Sequence, residues 1–177
     1  MASPPIVDPE RFDPDSPIAD LDTIRTLNPQ RYEMEQLTSI VYENTDDMTC
    51  VAVKDTDPDE FWCRGHFPGM PLMPGVIMLE SCAQLASYFS RKHDLLGAEI
   101  VGFGGVDEVR FRGMVTPGDR LILMVRLLKA RRGRMLVAEF QGFASDQMVV
   151  EGILRGVPIP VDAVKAELAK RGLDLAI

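Results

Sequence analysis

The chain has 177 residues, a net charge of −8 and a hydrophobic content of 46%, values typical of one globular domain. The acidic charge argues against nucleic acid as a partner, and no run of 18 apolar residues is present that would span a membrane. The N-terminus lacks the basic and apolar regions of a secretion signal, so we expect a cytoplasmic protein. Its three cysteines follow no Cys-x-x-Cys spacing, which predicts free thiols.

An N-terminal arm, a short helix and two strands are predicted for the beginning of the chain. Residues 1–19 contain five prolines and no periodic apolar pattern, which predicts an extended arm. Residues 20–27 predict a helix that is stopped by Pro29. The two strands are predicted over residues 36–43 and 49–54.

The one long helix is predicted over residues 75–92. Apolar residues recur there at helical spacing on almost every side, so we expect this helix to be buried. Its basic C-terminal residues complement the helix dipole. We expect Tyr88 and Phe89 to belong to the core, and His93, at the basic end, to be a structural residue.

The remainder of the chain is rich in strand patterns. Four further strands are predicted, over residues 100–112, 120–130, 135–144 and 148–157. The sheet ends at Pro158 and Pro160, and a closing helix is predicted over residues 161–171. Together these elements predict an α+β fold in which an antiparallel sheet of about five or six strands wraps around the long helix. The predicted domain spans residues 20–160, and the C-terminal helix, within residues 161–177, is expected to pack on it.

Basic residues are concentrated in one stretch of this strand-rich region. One interpretation is that solvated strand faces and a hairpin tip carry these charges. The alternative is a positive patch on an acidic protein, which suits an acidic or phosphate-bearing partner. The residues are Arg110, Arg112, Arg120, Arg126, Lys129, Arg131, Arg132 and Arg134.

Residues 65–84 carry the strongest functional signal in the sequence. His66 lies in a loop rich in proline and glycine, and Gly75 then opens the apolar helix, in which Glu80 is the only acid of the segment. An imidazole titrates near physiological pH and abstracts protons, whereas a carboxyl group among apolar side chains can stay protonated and donate one. His66 and Glu80 are therefore a candidate base and acid. No second histidine or cysteine lies at metal-ligand spacing from His66, so we expect no metal.

The segment 65–84 resembles the signature of the β-hydroxyacyl-acyl carrier protein dehydratases of fatty-acid synthesis, which have the hot-dog fold. Residues 106–112 and 115–119 are similar to the next strand and turn of that family, and residues 131–133 to its next hairpin. The resemblance covers roughly residues 20–158. It implies a hot-dog fold and the elimination of water from a (3R)-hydroxyacyl thioester to give a trans-2-enoyl thioester.

The resemblance also implies a role for each residue of the motif. His66 would remove the C2 proton, and Glu80 would bind the 3-hydroxyl and protonate it as it leaves. The N–H of Gly75, at the positive helix end, would polarise the thioester carbonyl, and no metal or redox cofactor is expected. Glutamate at position 80 is similar to the FabZ-type dehydratases, whereas FabA-type dehydratase-isomerases carry aspartate there. The structural alternatives are a loop histidine held by backbone groups and an ordinary acid in the first turns of a helix.

Three further residues are expected to support the site. Gln84 lies one helical turn beyond Glu80 on the same face and could hold its carboxyl group in place, although a plain buried polar residue is an equal alternative. We expect Phe67 and Leu72 to shape the loop, and the resemblance suggests that the Leu72 carbonyl orients the His66 ring.

The resemblance implies both a dimer and a carrier-protein partner. In the family each active site takes its histidine from one chain and its acid from the other, and three dimers often form a hexamer. An acyl carrier protein is acidic, so an acidic enzyme needs a local positive patch to bind it. For that patch we expect Arg110 and Arg112 first, which point to one face of a strand, and then Arg131 and Arg132 beside a tight turn.

One segment departs from the family pattern. The family commonly has Pro-His-Arg-Tyr-Pro-Phe-Leu-Leu-Val-Asp after its first helix, and here residues 29–38 read Pro-Gln-Arg-Tyr-Glu-Met-Glu-Gln-Leu-Thr. An apolar run has become acidic and polar, so acyl-length preference or assembly could differ. The alternatives to a dehydratase are a hot-dog thioesterase or enoyl hydratase and a non-catalytic acyl-binding module. The spacing of His66 and Glu80 argues against the first, and the presence of both groups argues against the second.

Overall fold

The computed structural model of the protein describes residues 3–173. In sequence order its elements are α1 (Leu21–Leu27), β1 (Ser39–Asn44), β2 (Thr49–Asp55), α2 (Gly75–Lys92), β3 (Val101–Phe111), β4 (Arg120–Arg131), β5 (Met135–Ala144), β6 (Gln147–Pro158) and α3 (Val161–Lys170). The six strands form one antiparallel sheet in the order β1-β2-β4-β5-β6-β3. Among the described helices, none is both long and apolar enough to cross a membrane.

Helix α2 packs against one face of the sheet and forms the main core with it. Its buried residues include Cys82, Leu85, Tyr88 and Phe89, which pack with inward-facing side chains of the strands. The predicted bounds of this helix are confirmed. Its predicted burial is confirmed too, because a helix that is apolar on most sides is stable only when other elements cover it. The predicted α+β hot-dog fold is confirmed as well.

The other face of the sheet is covered by the N-terminal arm. Ile6 and Val7 of the arm are buried in a second, smaller core together with Val51 and Val53 of β2. Residues of β2 that alternate with these two valines face α2 instead, so both faces of this strand are buried. The arm was predicted to be extended, and its packing on the sheet is an additional finding.

Polar contacts hold the arm to the sheet at defined points. The side chain of Gln141 accepts a hydrogen bond from Ile6 N at 2.8 Å and donates one to Pro4 O at 3.0 Å. Arg126 donates to Ile6 O at 2.7 Å. These bonds satisfy backbone groups of an arm segment that lies outside any helix or strand.

The two ends of the predicted domain differ from expectation in detail. Strand β1 begins at Ser39 rather than at residue 36, because Gln36 N bonds to the side chain of Gln84 on α2 instead of to a neighbouring strand. No residue of α3 is buried, so its predicted packing on the domain stays a prediction. Residues 1–2 of the predicted arm and 174–177 of the predicted C-terminal region lie outside the described residues.

Strand β3 lies at one edge of the sheet, and β6 is its only partner strand among residues 3–173. Its side chains alternate between half-buried and exposed, and Phe103 and Val106 are 49% and 44% exposed. A long edge strand with exposed apolar side chains offers unpaired backbone groups to another strand. The sheet therefore has a free edge that is suited to pairing.

Candidate active site

The loop that carries His66 is anchored to the core on its N-terminal side. Trp62 is 3% exposed, and its carbonyl accepts hydrogen bonds from His66 N at 2.8 Å and Gly65 N at 3.2 Å. Just before it, Glu60 forms an ion pair of 2.6 Å with Lys54, the last buried residue of β2. A buried lysine needs such a partner to remain charged, so this pair links the loop to the sheet.

The loop then closes on itself around the His66 ring. Leu72 N donates to His66 O at 2.9 Å, and His66 Nδ1 donates to Leu72 O at 2.9 Å. A neutral imidazole has one N–H, so donation from Nδ1 leaves the lone pair of Nε2 free to accept a proton. The ring also stacks on Phe67, with 4.1 Å between the ring centroids. His66 is thereby presented as the tautomer that a general base requires.

His66 lines an open cleft of about 390 Å³ beside the beginning of α2. Gly75 and Phe111 line the same cleft. No side chain caps this end of α2, so the N–H of Gly75 has no partner within the helix and can donate to a bound group. The cleft thus combines a base with a hydrogen-bond donor at a positive helix end.

Phe111, the last residue of β3, covers Gly75. A Cβ atom at position 75 would lie 2.7 Å from Phe111 Cε1, closer than carbon atoms approach without a shift. The missing side chain at Gly75 leaves a space that the aromatic ring of Phe111 occupies in this structure. Phe111 was not singled out from the sequence, although its alternation with Arg110 and Arg112 places it on the opposite face of β3.

Glu80 is held by Gln84, as their spacing on α2 suggested. Gln84 Nε2 donates to Glu80 Oε1 at 2.8 Å and to Met34 O at 2.7 Å, and Gln84 Oε1 accepts from Gln36 N at 2.9 Å. Both ends of the buried amide are therefore engaged, and its orientation is determined by the backbone of residues 34–36. Oε2 of Glu80 makes no hydrogen bond with the part of the chain that the structure describes, so it is available to another partner.

The segment before β1 supplies the surroundings of this network. Asn28 is buried and donates through Nδ2 to Gln84 O at 3.0 Å. Asn28, Met34 and Gln36 were not predicted as site residues. The only signal was that this stretch is polar where the resembling family is apolar.

His66 and Glu80 line different cavities of the single chain. The cavity at Glu80 has a volume of about 40 Å³ and lies between α2 and the strands β3, β5 and β6. The cleft at His66 lies at the beginning of α2. The structure therefore brings His66 together with Gly75, Leu72 and Phe67, and Glu80 together with Gln84, as two separate groups of residues.

The predicted basic patch is divided between two places. Arg110 and Arg112 face the same side of β3, and Arg112 donates to Glu151 through Nε at 2.9 Å and also through Nη2. Hydrogen bonding from Arg112 lowers the pKa of Glu151 below its usual range. Arg131 and Arg132 flank the turn between β4 and β5, where Arg132 bonds to Asp94 at 2.7 Å.

Comparisons with known proteins identify the family of the chain. The family model described as "FabA-like domain" matches residues 28–153. A protein of Desulfotalea psychrophila named "3-hydroxyacyl-[acyl-carrier-protein] dehydratase FabZ" is 42% identical over 106 residues, which is 59% of this chain and 70% of that protein. A protein of the same name from Mannheimia succiniciproducens is 40% identical over 123 residues, 69% of this chain and 79% of that protein.

Solved structures with the same fold are more distant in sequence. "The Dehydratase Heterocomplex ApeI:P from Xenorhabdus doucetiae" has a TM-score of 0.67 at 16% identity and covers 81% of this chain and 96% of that one. "Cj0977, a sigma28-regulated virulence protein from Campylobacter jejuni" has a TM-score of 0.62 at 14% identity, covering 84% of this chain and 96% of that one. At these identities the likeness concerns the fold alone.

Proposed function

The chain belongs to the FabA-like family, and we propose that it is a 3-hydroxyacyl-[acyl carrier protein] dehydratase of fatty-acid biosynthesis. The observation that carries this proposal is the pair of half-sites, a loop histidine with a free Nε2 and a helix glutamate with a free Oε2. The family match extends over both half-sites, since residues 28–153 include the loop, α2 and the segment that holds Gln84.

In the proposed reaction each of the two groups has one role. Nε2 of His66 takes the C2 proton of the (3R)-hydroxyacyl thioester, and the electron pair moves toward C3 as the C3–O bond breaks. Oε2 of protonated Glu80 gives its proton to the departing hydroxyl, which leaves as water. The N–H of Gly75 donates to the thioester oxygen, where negative charge develops. His66 then holds the C2 proton, and transfer of that proton to the Glu80 carboxylate restores both groups to their starting states.

Gln84 determines which oxygen of Glu80 performs this step. Its amide N–H donates to Oε1, and a carboxyl oxygen that accepts a hydrogen bond there is the carbonyl oxygen of the protonated group. We therefore assign the acidic proton to Oε2, which accepts no hydrogen bond from the described residues. Gln84 is thus a positioning residue for the acid.

We infer that the active site is shared between two chains, with His66 acting beside Glu80 of the partner subunit. Three features support this assembly: the two groups line different cavities, the edge of β3 is free, and apolar side chains lie exposed next to both half-sites. Val76 at the beginning of α2 is 66% exposed, and Phe103 on β3 is 49% exposed. Pairing of two β3 edges would cover them. Association of three such dimers, and a cytoplasmic location, belong to the same proposal.

Mixing of inactive variants tests both the activity and the shared site. His66→Ala and Glu80→Gln should each lower turnover by about 10²–10⁴-fold, the usual contribution of one acid–base group, without unfolding the protein. A mixed dimer regains one site with both native groups, so activity should partly return after subunit exchange. No return after verified exchange would contradict the shared site. Absence of enoyl product from the wild type would contradict the dehydratase proposal itself.

The carrier protein is expected to bind at Arg110 rather than at Arg112. Arg112 is already engaged by Glu151, whereas Arg110 is exposed on the same side of β3. Arg110→Glu should raise the KM for carrier-linked substrate and change little for a pantetheine-linked one, and the wild-type rate should fall as salt rises. Lys165→Glu on exposed α3 is the matched charge-reversal control. Equal losses for both substrates would show that Arg110 is structural.

A further inference from the structure

Phe111 and Gly75 are in contact at the beginning of α2, and both line the cleft that contains His66. A Cβ atom at position 75 would lie 2.7, 2.9 and 3.0 Å from Cε1, Cδ1 and Cζ of the Phe111 ring. These are the three atoms nearest to that position, so the ring alone takes the place of a side chain there. Phe111 is 51% exposed, which shows that this ring is part of the cleft wall rather than of the core.

Backbone hydrogen bonds anchor the segment that carries Phe111. Met73 N, just before α2, donates to Val115 O at 2.8 Å, and Val115 is fully buried. On the other side, Arg112 N donates to Val149 O of β6 at 2.7 Å. The chain that follows β3 is therefore tied both to the sheet and to the loop before α2. The Phe111 ring is attached to backbone that these bonds hold in place.

The backbone of Gly75 has its own role in the proposed reaction, because its N–H donates to the thioester oxygen. No side chain caps this end of α2, so the N–H is available for that bond. A donor of this kind must lie about 2.7–3.1 Å from the oxygen on which charge develops. A misplacement of about 1 Å can cost about 10²-fold in rate. Any group that determines the position of the Gly75 backbone therefore influences catalysis.

We propose that Phe111 is a positioning residue for this donor, because its ring sets how closely the Gly75 backbone approaches the end of β3. This inference rests on the proposed dehydratase function. Gly75 is not one of the glycines with positive φ, so alanine could adopt its backbone conformation. The contact with the ring is what excludes a side chain. Glycine at position 75 and the aromatic ring at position 111 are thus two parts of one complementary contact.

The division of an effect between kcat and KM tests the positioning role. Phe111→Ala removes the ring and should lower kcat by about tenfold to 10²-fold. KM should change by less than about threefold, since the donor acts mainly on charge that is present in the transition state. Phe111→Leu keeps apolar bulk at the contact and should lower kcat by about threefold to tenfold, with KM again almost unchanged.

A double variant tests whether Phe111 acts through Gly75. Gly75→Ala places a methyl group against the ring, so helix and ring must separate, and kcat should fall by about 10²-fold. In Gly75→Ala/Phe111→Ala the methyl group has room, because the three atoms nearest to it are gone. The double variant should therefore be no slower than Phe111→Ala alone, which is a strongly non-additive result.

Losses that multiply in the double variant would overturn the inference, because the two residues would then act independently. An unchanged kcat in both Phe111 variants, or a loss confined to KM, would overturn it as well. Phe143→Leu is the matched control, since Phe143 is a partly buried aromatic residue on the opposite face of the sheet, and its kcat should equal that of the wild type. Urea unfolding at one protein concentration separates loss of catalysis from loss of folded protein. An inactive wild type would instead remove the function on which this inference rests.

Discussion

Replacement of Gln84 by methionine should separate stability from acid catalysis. Gln84 is 2% exposed and makes three side-chain hydrogen bonds, to Glu80, to Met34 O and from Gln36 N. Methionine has a similar length and cannot make them. Two backbone groups then lose their partners in a buried place, at about 1–3 kcal/mol each. We expect a loss of about 3 kcal/mol in the free energy of unfolding.

A loss of about 3 kcal/mol corresponds to a fall of about 6–12 °C in Tm for a domain of this size. Urea unfolding at one fixed protein concentration measures it, since pairing of chains would make apparent stability depend on concentration. Glu80→Gln is the matched control, because its amide oxygen can still accept from Gln84. That variant should keep wild-type stability within about 0.5 kcal/mol and lose about 10²–10⁴-fold in turnover.

The two variants should therefore differ in stability while both lose activity. Gln84→Met should be unstable and, through a misplaced acid, slow, whereas Glu80→Gln should be stable and slow. A free energy of unfolding of Gln84→Met within about 1 kcal/mol of the wild-type value would show that the hydrogen bonds of Gln84 do not hold the segment before β1 on α2. The positioning role of Gln84 would then be refuted.

Three other predictions concern groups away from Glu80. Lys54→Met leaves Glu60 partly buried without its cation and should cost about 3 kcal/mol in urea unfolding. The double variant with Glu60→Leu should recover most of that loss, and no recovery would mean that the ion pair is not the cause. Val7→Ala removes two buried methyl groups from the arm and should cost about 2 kcal/mol, whereas an unchanged value would show that the arm is detached in solution. Hydrogen bonding from Arg112 lowers the pKa of Glu151 in the folded state. The pair therefore stabilises the fold at pH values above the pKa that Glu151 has in the unfolded chain, and this stabilisation is lost as the pH falls through the pKa of Glu151 in the folded state. Arg112→Met should therefore cost about 1 kcal/mol at pH 7, with a difference from wild type that shrinks toward pH 4 and below; a constant difference would contradict the assignment.

Much of the fold and part of the candidate site could be predicted from local patterns in the sequence. The bounds of α2 follow from a glycine at its start, apolar residues at helical spacing and basic residues at its end. The pairing of Glu80 with Gln84 follows from their separation by one turn. These features depend on residues that are near in the chain, so a pattern of residue types is sufficient to predict them.

The tertiary structure alone decides which distant groups meet. Gln36 N reaches Gln84 across 48 positions, and Gln141 holds Ile6 across 135. Such contacts depend on the packing of complete elements, and no spacing in the sequence encodes them. The arm on the outer face of the sheet and the separation of His66 from Glu80 both have this origin. The sequence by itself determined which residue types are available for acid–base chemistry, and the packing of complete elements decided that His66 and Glu80 line different cavities of the chain.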